Sequence, residues 1–208
     1  QLEYKIAQIS QLLYHKFSWS DLPSPKVIGV RMDRSATQIA AVYAILKLGA
    51  TYLPIDKSWP HSRMEYVAKD TKAMCILCDE SFAPLSVSCE VIQIRRERLR
   101  LEDYPELEIE SLDDTEAIPF IIYTSGSTGK PKGVVLSQSA FLNRCWWMWE
   151  KYPFSGDEVL IQKTSIGFVD SLWEIFGGLL RAIPLVVVSN VIGHDLIQLL
   201  QCIQRYKV

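Results

Sequence analysis

One short stretch of the sequence carries most of the groups that could bind phosphate. Residues 123–133 read Y-T-S-G-S-T-G-K-P-K-G and contain four Ser or Thr hydroxyls, three glycines and two lysines. Glycines let the backbone approach an anion closely and adopt positive φ. Hydroxyls and free backbone N–H groups can then surround phosphate oxygens, while Lys132 adds a positive charge. The pattern therefore predicts a phosphate-binding loop.

Apolar residues flank this loop on both sides, so it is predicted to join two strands. Residues 118–122 precede the loop and residues 134–136 follow it. The spacing excludes a G-x-x-x-x-G-K-[ST] phosphate loop, because Gly126 and Gly129 lie too close together and Pro131 interrupts any following helix. A polar hairpin connection without a ligand is the alternative, but ordinary loops rarely combine so many phosphate donors.

The same stretch resembles the nucleotide-binding signature of adenylate-forming enzymes. This superfamily includes acyl-CoA synthetases, luciferases and the adenylation domains of non-ribosomal peptide synthetases. The resemblance implies that the loop binds ATP and that Lys132 acts in catalysis. The residues that it assigns to nucleotide binding are Thr124, Ser125, Gly126, Ser127, Thr128, Gly129 and Lys132.

A second stretch, A-I-L-K-L-G-A-T-Y-L-P-I-D-x-x-x-P-x-x-R over residues 44–63, resembles a core motif of peptide synthetase adenylation domains. Its apolar residues are expected to pack in the core. Asp56 and Arg63 are expected to pair across the turn, which is a structural rather than a catalytic role.

A third stretch, F-V-D-S-L-W-E-I-F over residues 168–176, resembles the next core motif of amino-acid-activating domains. In the common form of that motif, the residue after Phe is an Asp that pairs with the α-ammonium of the substrate. Here that position is Val169, and the carboxylate lies one residue later at Asp170. Because a half-buried ammonium needs an anionic partner, this shift favours a β-amino acid such as β-alanine. The predicted substrate-binding residues are Phe168, Val169, Asp170 and Trp173, with helix capping as the alternative role of Asp170.

Charge and hydropathy argue against nucleic-acid and membrane partners. The 22 basic and 24 acidic side chains give a net charge of −2, so there is no electrostatic case for nucleic acid binding. The longest apolar stretch, residues 175–188, contains Arg181 and Pro184 and is too short to span a bilayer. No signal peptide is visible in the polar first residues.

The five cysteines form no disulfide-like pattern and suit a reducing, cytoplasmic compartment. Cys75-x-x-Cys78 invites a zinc or redox interpretation. However, these cysteines lie in a predicted buried strand, where residues three apart point to opposite faces. A structural role is therefore favoured over a metal site.

Alternating helix and strand patterns predict an α/β fold with mostly parallel sheets covered by helices. The resemblance implies that this is part of the large N-terminal subdomain of an adenylate-forming enzyme. The tryptophan-rich helix is expected to pack in the core, with Trp147 its most exposed tryptophan. The predicted helices cover residues 2–17, 35–48, 60–70, 139–152, 170–180 and 194–206, with Ser139 as a cap, and the predicted strands cover residues 27–30, 51–55, 75–78, 91–94, 118–122, 134–136, 159–161 and 184–188.

The resemblance extends over residues 1–208 but includes only the early core motifs of the family. The sequence is therefore interpreted as the N-terminal part of an adenylation domain, with the C-terminal part and the small mobile subdomain absent. The implied enzyme is an amino-acid adenylating ligase that uses ATP and Mg²⁺, with the Mg²⁺ ligand outside this sequence. Its implied partners are an amino acid or other carboxylate and a carrier protein bearing a phosphopantetheine thiol. An acyl-CoA or aryl-CoA synthetase and a non-catalytic nucleotide-binding fragment are the alternatives.

Overall fold

The computed structural model describes residues 1–19, 25–79, 87–94, 117–126 and 130–208. Helices and strands alternate along these ranges. The helices are α1 (Leu2–Lys16), α2 (Ala36–Lys47), α3 (His61–Asp70), α4 (Gln138–Lys151), α5 (Asp170–Leu179), α6 (Asn190–His194) and α7 (Leu196–Tyr206). The strands are β1 (Val27–Arg31), β2 (Thr51–Pro54), β3 (Cys75–Cys78), β4 (Glu90–Gln93), β5 (Phe120–Thr124), β6 (Lys132–Leu136), β7 (Leu160–Gln162) and β8 (Leu185–Val187).

Two sheets organise the described residues. Six strands form one sheet in the order β4-β3-β1-β2-β5-β6, and β7 and β8 form a second sheet. Neighbouring strands are parallel except for β6, which is antiparallel to β5 at the sheet edge. This arrangement confirms the predicted α/β class with mostly parallel strands.

The central strands are buried on both faces, so their residues alternate between two hydrophobic clusters. On β3, Cys75 and Leu77 belong to the cluster that includes buried residues of α1, α2 and α5. Ile76 belongs to the second cluster, together with buried residues of α3. Helices therefore cover both faces of the sheet, as the near-continuous apolar strands require.

The described cysteines support the structural interpretation of the C-x-x-C stretch. Cys75 and Cys78 are both buried in β3, and all five cysteines are free thiols. Burial raises the pKa of the Cys75 thiol, which disfavours the thiolate that a metal or a redox reaction needs. In the described part of the chain, no three His, Cys, Asp or Glu side chains group together in a way that could hold a metal ion.

Helix α4 differs from its predicted form at its cap and at its tryptophans. The cap is Ser137 rather than Ser139, and its hydroxyl accepts a hydrogen bond from the backbone N–H of Ala140 at 3.2 Å. Trp147 is exposed as expected, at 48%, but the expected core packing is wrong for Trp146, which is 54% exposed. The helix buries only Phe141 and Cys145, which lie four residues apart and therefore on one face. Trp146 and Trp147 do not follow this spacing.

The helix predicted over residues 194–206 is present as α7, which begins two residues later at Leu196, and the preceding short helix α6 was not predicted. The carboxylate of Asp195 accepts hydrogen bonds from the backbone N–H groups of Ile197 and Gln198, at 3.0 Å each. Asp195 itself is extended, as a residue that caps the following helix must be. Throughout the described ranges, no helix is both long and apolar enough to cross a bilayer.

Candidate active site

The predicted phosphate-binding loop connects β5 and β6, which form an antiparallel hairpin. Thr124 ends β5 and lies opposite Lys132, the first residue of β6. The side chains of Thr124, Ser125 and Lys132 are exposed, so two hydroxyls and one ammonium group are accessible at the same end of the hairpin. Ser127, Thr128 and Gly129, also predicted to bind nucleotide, lie outside the described residues.

Two glycines of this hairpin lie close to other atoms of the hairpin, in places where a side chain would be crowded. A Cβ on Gly126 would collide with the carbonyl oxygen of Lys130, so the loop ends could not come this close with a larger residue. A Cβ on Gly133 would lie 3.0–3.2 Å from the ring of Tyr123. Both glycines of the motif that the structure describes therefore have a steric reason to be glycine.

Tyr123 anchors the hairpin to α3. Its side chain is buried, and its hydroxyl donates a hydrogen bond to the carboxylate of Asp70, the last residue of α3. Burial and this carboxylate raise the pKa of Tyr123, so the phenol stays neutral. The structure thus buries Tyr123 against α3, whereas Thr124 and Ser125, which follow it, are exposed.

The predicted substrate-binding segment lies at the start of α5. Phe168 is 66% exposed, and Val169 and Asp170 are exposed as well. Val169 has helical φ and ψ of −58° and −30°, and no side chain caps this helix with a hydrogen bond. A capping residue needs an extended conformation, which Asp170, as the first helical residue, does not have. The alternative role of Asp170 as a helix cap is therefore excluded, and its carboxylate is accessible.

Trp173 lies one helical turn after Asp170 and so on the same side of α5. Its indole covers Gly177, where a Cβ would lie 2.6 Å from the ring. The half-buried ring also borders a groove of about 590 Å³ that is lined by Leu160, Ile161 and Glu174 among others. Trp173 thus closes one wall of a groove between α5 and β7.

The fold places the predicted phosphate-binding loop and the predicted substrate segment at the carboxyl ends of the parallel strands of the six-stranded sheet. Strands β2 and β5 are parallel neighbours, so their carboxyl ends, near Asp56 and Thr124, point the same way. The hydroxyl of Ser165 donates a hydrogen bond to the Asp56 carboxylate. Because Ser165 closely precedes Phe168, the start of α5 lies near the same carboxyl ends of the strands, where the loop also begins.

The expected ion pair between Asp56 and Arg63 is not formed between these two described residues. Asp56 instead accepts hydrogen bonds from the backbone N–H and hydroxyl of Ser58, at 2.9 and 2.7 Å, and from Ser165. Burial works against the charged form, but these hydrogen bonds and nearby Arg31 lower the pKa of Asp56 below its usual value. Arg63 stacks on Trp59, with its guanidinium carbon 4.2 Å from the ring centroid. Hydrogen bonds from Ser58 and Ser165 thus take the place of the expected ion pair.

A family comparison decides what kind of protein contains this site. The family described as "AMP-binding enzyme" matches residues 16–208. The chain belongs to the AMP-binding enzyme family. The match includes the hairpin loop and the substrate segment, so the resemblance seen in the sequence is confirmed.

Curated relatives of this AMP-binding chain include peptide synthetases. Vanchrobactin synthetase VabF of Vibrio anguillarum is 33% identical over 208 residues, which cover 100% of this chain and 7% of that protein. Zwittermicin A synthase ZmaJ of Bacillus cereus is 35% identical over 151 residues, covering 72% and 29%. The beta-alanyl-bioamine nonribosomal peptide synthetase ebony of Drosophila melanogaster is 31% identical over 188 residues, covering 88% and 21%. The chain thus spans less than a third of the length of each of these relatives.

Solved structures share the fold of this AMP-binding chain. The O-succinylbenzoate coenzyme A synthetase MenE of Bacillus subtilis, in complex with ATP and magnesium ion, superposes with a TM-score of 0.83 at 18% identity. That match covers 100% of this chain and 54% of MenE. The AMPPNP-bound peptide synthetase FmoA3 gives a TM-score of 0.76 at 23% identity, covering 89% of this chain and 19% of FmoA3. These likenesses confirm the fold of the N-terminal subdomain of adenylate-forming enzymes.

Two further residues near the predicted substrate segment of this AMP-binding chain were not identified from the sequence patterns. Arg34 follows β1 and is buried, with both terminal guanidinium nitrogens donating to backbone carbonyls. Glu174 lies within α5 and accepts hydrogen bonds from residues that follow β7. The available signal was weak, because it consisted only of a charged residue after a buried strand and a Glu inside an apolar helix motif.

Proposed function

We propose that the protein containing this chain is an amino-acid-adenylating ligase of the peptide synthetase type. The observation that carries the proposal is that the exposed residues Thr124, Ser125 and Lys132 lie near the carboxyl ends of the parallel strands, where the helix that begins with Asp170 also starts. A carboxylate oxygen of the substrate would attack the α-phosphorus of ATP, with pyrophosphate leaving and an acyl-adenylate forming. Hydroxyl donors and Lys132 would stabilise the charge that develops on the phosphate oxygens.

The residues present fit the phosphates of ATP. The turn offers hydroxyls and an ammonium group, and Gly126 removes the side chain that would keep the ends of the loop apart. Mg²⁺ would neutralise phosphate charge during the reaction. We place its protein ligand outside this sequence, as the family resemblance implies. Ser127, Thr128 and Gly129 complete the proposed nucleotide-binding loop.

We further propose a β-amino acid such as β-alanine as the substrate. Val169 provides no charge for an α-ammonium, whereas the accessible carboxylate of Asp170 can pair with an ammonium group one carbon farther from the substrate carboxyl. Phe168 and Trp173 would form the apolar walls of this pocket. The similarity to ebony, whose name describes a beta-alanyl product, supports the proposal.

The acceptor of the activated acyl group would be a phosphopantetheine thiol on a carrier protein, as the peptide synthetase relatives suggest. The free cysteines suit a reducing, cytoplasmic compartment. Offering the enzyme either a carrier domain with a free phosphopantetheine thiol or free coenzyme A tests the acceptor. Acyl transfer to coenzyme A alone would assign the protein to the acyl-CoA synthetases instead.

The substrate is tested by pyrophosphate exchange with a panel of α-amino, β-amino and aryl acids in the full-length protein. In the full-length protein, where we propose that the rest of the fold covers this pocket, an unpaired charge would cost about 3–5 kcal/mol, so we expect β-alanine to exceed L-alanine in kcat/KM by about two orders of magnitude or more. Asp170→Ala should abolish this preference. Val169→Asp combined with Asp170→Ala should shift it towards α-amino acids. A wild-type enzyme that works best on an α-amino acid would contradict the pocket assignment.

A further inference from the structure

Three charged side chains from different parts of the fold converge on the short segment that precedes the substrate-binding residues. This segment, residues 163–167, connects the end of β7 to Phe168. Arg34 reaches it from the end of β1, Asp56 from the end of β2 and Glu174 from α5.

Arg34 links the segment to the six-stranded sheet. Its Nη1 donates to the carbonyl oxygen of Lys163, and its Nη2 donates to the carbonyl oxygen of Ser189 at 3.2 Å. Lys163 directly follows β7, and Ser189 closely follows β8. One guanidinium therefore joins the carboxyl ends of both strands of the small sheet to the end of β1.

Glu174 holds the same segment from the other side. Its carboxylate accepts hydrogen bonds from the backbone N–H groups of Lys163 and Thr164, at 3.0 and 2.8 Å, and from the Thr164 hydroxyl at 2.6 Å. Glu174 lies one turn after Asp170 on α5. The segment is thereby fixed relative to the helix that presents Asp170.

The Arg34 side chain makes these hydrogen bonds in the protein interior rather than on the surface. The side chain is only 8% exposed, and burial lowers the pKa of its guanidinium while the charges of Glu174, Asp56 and Asp33 oppose that change. Gly193 makes room for it, because a Cβ there would lie 2.5 Å from Nη2. Planar guanidinium groups suit this kind of bidentate contact, and a lysine would satisfy only one of the two carbonyls well.

We infer that Arg34 is a positioning residue for substrate selection, holding residues 163–167, together with Asp56 and Glu174, so that Phe168 and Asp170 face the substrate. This inference rests on the proposed function and assigns to it a residue outside the sequence motifs. Arg34 acts through the backbone and does not touch the substrate. Its loss should therefore loosen the amino-acid site and leave the nucleotide loop between β5 and β6 unchanged.

The test compares four single variants of the full-length protein in pyrophosphate exchange: Arg34→Ala, Arg34→Lys, Arg181→Ala and Gly193→Ala. For Arg34→Ala we expect the KM for the preferred amino acid to rise about tenfold or more, with the KM for ATP within about twofold of wild type. Arg34→Lys should give a smaller rise, because an ammonium group replaces the fork of donors. Arg181→Ala is the control, since this exposed arginine follows α5 and stacks on Trp149, with its guanidinium carbon 4.3 Å from the ring centroid. It should leave both KM values unchanged.

Gly193→Ala tests the same contact without removing the arginine. An added Cβ would push on the Arg34 guanidinium, although alanine favours a helix more than glycine does. We expect the amino-acid KM to rise in Gly193→Ala even if the thermal stability increases. The double variant Arg34→Ala, Gly193→Ala should resemble Arg34→Ala alone, because the crowded group is gone.

Amide hydrogen exchange supplies a readout that does not depend on activity. In Arg34→Ala and Gly193→Ala, amides of residues 163–170 should exchange faster than in wild type, while those of β1 and β3 stay protected. Unchanged exchange in residues 163–170, or KM values for ATP and amino acid that rise together, would overturn the inference. Wild-type protein without amino-acid-dependent pyrophosphate exchange would instead overturn the proposed function, and the hydrogen-exchange comparison would still decide the role of Arg34.

Discussion

Gly133 illustrates how packing can favour glycine at a motif position. A Cβ at this position would lie 3.0–3.2 Å from the ring and hydroxyl of Tyr123, which is tighter than ordinary van der Waals contact. The Tyr123 hydroxyl donates a hydrogen bond to Asp70, so the ring cannot turn away without losing it. An added side chain would therefore crowd this ring.

Replacing this glycine should destabilise the hairpin. We expect Gly133→Ala to lower the free energy of unfolding by about 1–3 kcal/mol, the usual cost of forcing an extra carbon into a packed site. Val134→Ala is the control, because Val134 lies next on the same strand and is about half exposed. Urea unfolding of both variants measures the difference, and equal stability for the two would contradict the packing role.

At the scale of single elements, the β3 strand decides the role of the C-x-x-C stretch. Burial raises the pKa of Cys75, and burial also raises the pKa of Cys145 in α4 to about 11. Thiol reagents attack the thiolate, whose population at a given pH falls as the pKa rises. Both cysteines should therefore be unreactive in the folded protein at pH 8, whereas the half-buried Cys202 on α7 should react.

Labelling with a chromogenic disulfide, followed by peptide mass spectrometry, measures this pattern. Labelling of Cys75 and Cys145 should appear only after unfolding in denaturant. Rapid labelling of native Cys75 at pH 8, or its protection by added Zn²⁺, would restore the redox or metal interpretation.

Element boundaries were predictable where the local signal was complete. Helix α2 has a cap at Ser35, whose hydroxyl accepts from the N–H of Gln38 at 3.1 Å, and it is followed by Gly49 at φ 67°. Both signals are readable in the sequence. The short helix α6 was missed, although Ser189 caps it, because five residues are too few to show a helical period. The α4 cap was placed at Ser139 instead of Ser137, since both serines precede the same apolar stripe.

At the scale of the whole molecule, contacts between distant residues could not be predicted. The predictions of a nucleotide-binding loop and of a substrate segment at residues 168–170 rest on the residues of those two stretches alone. The placement of both stretches at the carboxyl ends of the parallel strands, and the contacts of Arg34 with Lys163 and of Asp56 with Ser165, depend on elements separated by more than a hundred residues. No periodicity or cap signal encodes such pairs, and the predicted pairing of Asp56 with Arg63 across the turn was wrong because Asp56 accepts from Ser58 and from the distant Ser165 instead.

The chain by itself should lack adenylation activity. It spans about half of MenE and less than a third of its curated peptide synthetase relatives, and Phe168 is largely exposed. A reacting carboxylate and triphosphate would therefore remain open to water, which weakens every electrostatic contribution of the loop. Purified residues 1–208 should show no substrate-dependent pyrophosphate exchange. Exchange above background would show that the remaining part of the fold is dispensable.

The central claim is that the loop between β5 and β6 stabilises the phosphates of ATP during carboxylate activation. Lys132→Ala in the full-length protein tests it most directly, because the exposed side chain of Lys132 can be removed without opening the core. Lys151→Ala, at the exposed end of α4, is the matched control. Amino-acid-dependent pyrophosphate exchange is the measurement. We predict a loss of about a hundredfold or more in kcat/KM for Lys132→Ala with unchanged thermal stability, whereas a rate within about twofold of wild type would contradict the account.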